Sequence, residues 1–117
     1  MNKRKIGDEY EKIAAGYLEN AGYTIIGKNF RIRNAEIDII ARDGEYICFV
    51  EVKYRKTLNC GMAAEAVDHK KQHKITMAAL YYMQKNNYNE WTPCRFDVLA
   101  IDDQNIQLYK NAFEACV

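Results

Sequence analysis

Apolar residues recur at Ile6, Tyr10, Ile13, Ala14, Tyr17, Leu18 and Ala21. This i, i+3, i+4, i+7 spacing lays one apolar stripe along a helix, so residues 6–21 are expected to be helical. Gly22 supplies a stop, because glycine enters the left-handed conformation that closes a helix without a Cβ clash. From Tyr23 the pattern shortens. Tyr23-Thr24-Ile25-Ile26 opens a strand expected to reach Ile32, with Gly27 as a candidate bulge. Glu36-Ile37-Asp38-Ile39-Ile40-Ala41 and the run from Glu45 to Lys53 flank Asp43-Gly44. Asp-Gly between apolar runs signals a hairpin, since a type I′ turn needs positive φ at both central residues. With Arg42 paired to Glu45, Asp38 lies opposite Phe49 and Glu36 opposite Glu51. Asp38 and Glu51 are then same-face diagonal neighbours, about 7 to 8 Å apart at Cα.

Residues 63–86, rich in Ala, Lys, Gln, Met and Leu, favour a long helix by propensity, with Asn86-Asn87 at its end and Ile75, Ala78, Ala79 and Tyr82 as its packing stripe. Arg95 to Ile101 reads as a fourth strand, Asp102 to Asn105 as a turn, and Ile106 to Lys110 as a fifth strand. The predicted order is α-β-β-β-α-β-β, an α/β fold.

At 117 residues the chain is expected to form a single domain, 1–117. Hydrophobic content of 49% and charge of 28% argue against disorder, and one proline leaves little room for a linker. The basic start Met1-Asn2-Lys3-Arg4-Lys5 runs into Asp8, Glu9 and Glu11 where a secretion signal needs an apolar stretch. No apolar run approaches the roughly 18 residues of a membrane span. A cytoplasmic protein with no membrane partner is therefore expected. Cys48, Cys60, Cys94 and Cys116 are widely spaced, without the CxxC pairs of a structural zinc or redox centre. Cys48 reads as core packing and Cys116 as a frayed terminus.

The net charge of +1 does not advertise a nucleic-acid binder, but its distribution is uneven. Basic residues gather at Lys3-Arg4-Lys5, at Lys28 with Arg31 and Arg33, at Lys53 with Arg55 and Lys56, and at Lys70-Lys71 with Lys74. Each group alone reads as a solvated face. Only their convergence in the fold makes a phosphate-binding surface.

Glu51-Val52-Lys53 stands out, because it ends the apolar run Tyr46-Ile47-Cys48-Phe49-Val50. Strand alternation sends Glu51 and Lys53 to one face, and Asp38 interrupts the neighbouring strand. Deeply buried ionised groups cost several kcal/mol each unless paired or metal-bound. One explanation is a sheet with one wet face and ordinary cross-strand ion pairs. The other is a divalent cation relieving the repulsion among Glu36, Asp38 and Glu51. Hard oxygen donors select Mg²⁺ or Mn²⁺ over zinc. Such an ion polarises a phosphoryl oxygen and acidifies an attacking water, while Lys53 orients that water or neutralises developing charge.

Asp38 followed by Glu51-Val52-Lys53 resembles the metal-binding core of the restriction-endonuclease-like PD-(D/E)xK nucleases. A longer series follows the same order: Gly7, Glu11, Ala14, Tyr17-Leu18, Gly22-Tyr23, Asn29-Phe30-Arg31, Glu36-Ile37-Asp38, Phe49 to Lys53, Arg55, Gly61, Ala66-Val67, Lys71, Lys74, Ala79 and Arg95-Phe96-Asp97-Val98. It resembles the small bacterial YraN family of predicted endonucleases, itself similar to archaeal Holliday-junction resolvases. That family usually has Gly before its Glu-Ile-Asp, where Ala35 stands here, which implies a changed turn. The resemblance implies a restriction-endonuclease-like mixed sheet flanked by helices, with Glu11, Asp38, Glu51 and Lys53 converging as catalytic residues. It further implies Asp38, Glu51, Glu11 and the Val52 carbonyl as metal ligands.

Around that centre, Lys71, Gln72 and Lys74 are candidates for contact with DNA phosphates or with the site, and alternatively form a solvated face. Asn29 and Arg31 position substrate or bond the sheet edge, and Arg55 joins them as a nucleic-acid candidate. His69 and His73, four apart, permit joint zinc binding but without a third ligand read as solvated or phosphate-contacting. Tyr81, Tyr82, Tyr88 and Trp91 offer stacking surfaces for unpaired bases, or packing. The expected function is Mg²⁺- or Mn²⁺-dependent cleavage of DNA, branched or otherwise structured, by a homodimer with two sites. The alternative is a non-catalytic DNA-binding or DNA-repair accessory module on the same fold.

Overall fold

The computed structural model describes residues 3–54, 67–102 and 105–117, with side chains of the first helix described from Glu9 onward. The elements are α1 (Lys3–Asn20), β1 (Thr24–Ile32), β2 (Ala35–Asp43), β3 (Tyr46–Tyr54), α2 (His69–Lys85), β4 (Cys94–Ile101) and β5 (Ile106–Phe113). Their order is the one the periodicities predict. The strands form a five-stranded sheet in the order β1-β2-β3-β4-β5. β3 lies at its centre, antiparallel to β2 and parallel to β4, while β1–β2 and β4–β5 are antiparallel. A parallel pair cannot be joined by a tight turn, and α2 lies within the β3–β4 connection.

Both helices stop on a residue in the left-handed conformation. At α1, Gly22 has φ +98°, and the Gly22 and Tyr23 amides donate back to the carbonyls of Glu19 and Leu18 at 3.1 and 2.9 Å. At α2, Asn87 has φ +61°, and the Asn87 and Tyr88 amides donate to Gln84 and Met83 at 3.2 and 3.0 Å. This is the Schellman closure, with its apolar contact between the residues on either side of the stop. α2 begins later than expected. Asp68 is its N-cap, its Oδ1 accepting from the Lys71 amide at 2.8 Å, so Val67 and Asp68 precede the helix. Residues 63–66 lie outside the described residues.

The sheet separates two apolar layers. On one face Ile75, Ala78 and Ala79 of α2 pack on Ile40, Ile47, Phe49, Phe96 and Val98. On the other, Ala14, Ala15 and Leu18 of α1 pack on Ile39, Ala41, Cys48, Val50 and Leu99. Along β3, Ile47 and Phe49 belong to the α2 layer, whereas Cys48, Val50 and, at its margin, Val52 belong to the α1 layer. Glu51 and Lys53 therefore follow Ile47 and Phe49 toward α2. Cys48 is the packing residue expected. Burial, reinforced by the charge of Asp97, pushes its thiol up to about 12.

The β2–β3 hairpin corrects the predicted register. Asp43 pairs with Tyr46, Arg42 with Ile47 and Ile39 with Val50. The central turn residues are thus Gly44-Glu45, and only Gly44, at φ +61°, is left-handed. Those are the φ signs of a type II′ turn, which places Gly first, rather than of the type I′ turn read from Asp-Gly. The pairing moves by two residues. Because side chains alternate with period two, every residue keeps its face. Glu36 does not oppose Glu51 and instead pairs with Arg31 of β1. Ala35 also finds an explanation: it pairs with Ile32 as the first residue of β2, outside the turn, where glycine is not needed. The β1–β2 ladder does shift beside Gly27, between Ile25 and Gly27.

Where the hairpin turns, a polar network locks the end of the sheet. Asp97, fully buried on β4, accepts from Tyr23 Oη at 2.8 Å, Arg95 Nε at 3.0 Å and the Asn111 amide at 2.9 Å. Arg95 also bonds Asp43 Oδ2 at 2.6 Å, and Lys110 Nζ reaches the same oxygen at 3.2 Å. Arg95 and Lys110 hold the Asp43 carboxyl below its ordinary range. Burial and the hydrogen bond to Asp97 push the Tyr23 hydroxyl well above its own. Asn111 adopts φ +54° where the β4–β5 ladder shifts, so β5 bends around Asp97 and runs on to Phe113, past the expected end. Beyond it, the Cys116 amide donates to Thr76 Oγ1 at 3.0 Å and its carbonyl meets His73 Nδ1 at 2.8 Å. Cys116 is bound to α2 rather than frayed. His69 Nδ1 lies 3.5 Å from Cys116 Sγ, so both histidines, solvent-exposed as expected, also contact this segment.

Among the described residues no helix is long and apolar enough to cross a membrane. Asp97→Ala should destabilise the protein by about 3 to 5 kcal/mol, because it leaves Arg95, Tyr23 and the Asn111 amide facing a void. Tyr23→Phe removes two bonds, the one given to Asp97 and the one accepted from Arg95, and should cost about 1 to 2 kcal/mol. Urea unfolding midpoints of the two variants test that order, and equal losses would contradict a network centred on Asp97.

Candidate active site

Past Ile39 and Val50 the β2–β3 pairing ends, while β3 stays paired with β4 as far as Tyr54. The strands splay, and the Val52 amide is left without a β2 carbonyl. It donates instead to Asp38 Oδ2 at 2.8 Å. A backbone donor in a half-buried position needs a partner, and a carboxylate supplies it. Extending the register by one residue sets Asp38 directly across from Glu51, closer than the diagonal placement expected.

The other side of β2 breaks at the same level. The β1–β2 ladder pairs Lys28 with Ile39 and Phe30 with Ile37, and skips Asn29 and Asp38. Asn29 sits at φ +53°, which asparagine tolerates better than most residues. Ile37 consequently packs in the α2 layer and Ile39 in the α1 layer, although regular alternation would send them to one face. From its kink, Asn29 Nδ2 donates to Glu11 Oε2 at 3.2 Å. Tyr10 stacks on Tyr54 with ring centroids 4.1 Å apart, which lays this part of α1 over the end of β3. The half-buried Glu11 is thereby brought to the same end of the sheet.

Glu51 is buried, with 6% of its side chain exposed. Its Oε1 lies 3.1 Å from Lys71 Nζ and 3.8 Å from Lys53 Nζ. Asp38 is half-buried beside it. Burial, then the charge of Glu51, and more weakly those of Glu36 and Glu11, push its carboxyl up to about 7 against the opposing Val52 hydrogen bond. Lys71 shifts upward too. Burial opposes its charge, but the Glu51 carboxylate, with help from Asp38, outweighs that opposition.

Glu11, Asp38, Glu51, Val52 and Lys53 thus stand at one end of the sheet, and Lys71 joins them. Asn29 bonds Glu11. Arg31, largely exposed, pairs with Glu36 at 3.2 Å. Lys74 is exposed on α2, and Arg55 lies outside the described residues. Of the aromatic candidates, Tyr82 and Tyr88 pack at the margin of the α2 layer, while Tyr81 and Trp91 are exposed. Lys71, a candidate for contact with the site, is the nearest ion partner of Glu51. One role escaped the sequence pattern: the left-handed Asn29 leaves at most the hint that asparagine tolerates such a backbone.

Among the described residues no three His, Cys, Asp or Glu side chains form a ready-made chelate. The donors are oxygens, two of them facing carboxylates. That set suits an ion that keeps much of its water, as magnesium does with one or two carboxylates, rather than a closed zinc cage.

A family model described as "Uncharacterised protein family UPF0102" matches residues 10–101. A UPF0102 protein of Lachnoclostridium phytofermentans is 48% identical over 115 residues, covering 98% of each chain. One from Chlorobaculum tepidum is 46% identical over 110 residues, 90% of this chain and 84% of the relative. One from Dehalococcoides mccartyi is 38% identical over 115 residues, 95% of this chain and 94% of the relative. These names give the family and no activity.

The Asp38 shift has a consequence for stability. The unfolded carboxyl releases its proton near 3.8 and the folded one near 7, so folding takes up a proton in this window and stability falls as pH rises through it. Asp38→Asn keeps an acceptor for the Val52 amide and removes the titration. In EDTA it should raise the melting temperature by at least about 3 °C at pH 8, with the gain shrinking toward pH 4. A gain independent of pH would rule out a strained Asp38 carboxylate.

Proposed function

The chain belongs to the UPF0102 family, and we propose that it is a metal-dependent endonuclease hydrolysing phosphodiester bonds in branched or otherwise structured DNA. The observation that carries this reading is the pair Asp38 and Glu51, two half-buried to buried carboxylates facing one another across splayed strands, with Lys53 on the same face. Its support beyond geometry is the resemblance of Asp38 and Glu51-Val52-Lys53 to the PD-(D/E)xK core.

The residues present fit Mg²⁺ or Mn²⁺. Asp38 and Glu51 would hold the ion. Backbone N–H and C=O of one extended residue leave the same edge of a strand, so the amide that bonds Asp38 places the Val52 carbonyl on that edge as a third oxygen. When bound, the metal supplies Lewis acidity toward a phosphoryl oxygen and toward water. The remaining work falls to the protein. The Val52 amide fixes the Asp38 carboxylate, and Asn29 holds Glu11 where it can accept a hydrogen bond from a hydrating water. Lys53, on a central strand and mostly buried, presents an ammonium that orients the attacking water and offsets charge developing on the phosphate. Apolar packing on both faces of the sheet keeps these groups in place. Symmetric cleavage of a four-way junction needs two such sites, which a two-fold homodimer supplies.

Cleavage of junction, flap and linear duplex DNA should require Mg²⁺ or Mn²⁺ and stop in EDTA. Asp38→Asn and Glu51→Gln should each lower the rate by about 100-fold or more, with junction or flap DNA cut faster than linear duplex. Equal cleavage by wild type and both variants would refute the assignment. Salt-sensitive DNA binding without turnover would place the chain among accessory DNA-binding modules instead.

A further inference from the structure

Two ammonium groups address one oxygen of Glu51, and they are not equivalent. Lys71 Nζ is the nearer, at 3.1 Å against 3.8 Å for Lys53. Lys53 extends from the central strand with 19% of its side chain exposed, whereas Lys71 stands in the first turn of α2 with 44% exposed. The backbone of Lys71 is fixed by the Asp68 cap, and its long side chain is not. Any cation that takes up Glu51 Oε1 meets positive charge already in place. Like charges on one carboxylate oxygen repel at close range, so one ammonium has to leave. Moving Lys71 into water costs little, because its side chain is already 44% exposed and its stem flexible. Moving Lys53 means dislodging a mostly buried group.

We propose that Lys71 is an exchangeable counter-ion: it neutralises Glu51 while no divalent metal is bound, and yields that oxygen when one binds. The proposal rests on the metal site proposed above and adds to it a residue that sets metal affinity from outside the ligand set. Lys71 holds the buried carboxylate in order without metal, so the site need not collapse when the ion is lost. Its occupancy of the oxygen also weakens metal binding, which keeps the bound ion replaceable.

The test needs no DNA and no turnover. Mn²⁺ is titrated into wild type, Lys71→Met, Lys71→Arg and Lys74→Met, with free Mn²⁺ read by electron paramagnetic resonance and melting temperatures taken in EDTA and at saturating Mn²⁺. Lys71→Met should bind Mn²⁺ about three- to tenfold more tightly. Lys71→Arg, which keeps the charge, and Lys74→Met, which removes an exposed charge one turn away, should stay near wild type. In EDTA, Lys71→Met should melt below wild type, and saturating Mn²⁺ should close that gap. Unchanged or weaker Mn²⁺ binding by Lys71→Met, or equal tightening by Lys74→Met, would overturn the proposal while leaving the metal site standing. Absence of Mn²⁺ binding by all four folded proteins would overturn the metal site as well.

Discussion

A carboxylate buried on the central strand is the constraint around which this end of the molecule is arranged. Glu51 is almost wholly shielded from bulk water, and an unpaired charge in such a place costs several kcal/mol. Lys53 answers from the same strand and Lys71 from the helix packed over it. The placement of α2 is therefore electrostatic as well as apolar. Ile75, Ala78 and Ala79 seat the helix on the sheet, and the turn before them delivers an ammonium to Glu51.

Each end of the sheet buries acids, and the two treat them differently. Asp97 is saturated by Tyr23, Arg95 and the Asn111 amide, and Arg95 carries the network on to Asp43. Among the described residues no buried side-chain nitrogen or oxygen lacks a hydrogen-bond partner. At the other end Asp38 is hydrogen-bonded, and its carboxyl is pushed up to about 7 by burial and by the charge of Glu51. The first arrangement resists change, because removing any member strands the others. The second is held under like-charge repulsion that a cation would relieve. Groups strained in this way concentrate where proteins do chemistry.

Backbone irregularity is what brings the acids together. A regular ladder would have consumed the Val52 amide in pairing with β2 and left Asp38 a side chain on an ordinary face. Splaying of β2 from β3, and the left-handed Asn29 opposite, free the amide and reorient Asp38 and Glu11. The hairpin shows how much misregister such a site tolerates. Its turn is Gly44-Glu45 rather than Asp43-Gly44, so the pairing differs by two residues from the simplest reading. A shift of one would have sent Asp38 to the opposite face. A shift of two preserved the face and brought Asp38 nearer to Glu51.

Local pattern by itself determined the element order, the packing stripe of α2, the stop at Gly22 and the shared face of Glu51 and Lys53, whereas of the stripe read along α1 Ala14 and Leu18 are buried and Ile13 and Tyr17 are exposed. Each follows from a period of 3.6 or 2 or from one residue's backbone preference, and these act within a few neighbours. Tertiary structure alone decided the turn type, the gap between β2 and β3, the capture of Glu11 by Asn29, the attachment of Cys116 to α2 and the partnership of Lys71 with Glu51. Those depend on how layers distant in the chain meet. Hydrogen-bond demand and charge pairing across such distances leave no period in the sequence from which they could be read.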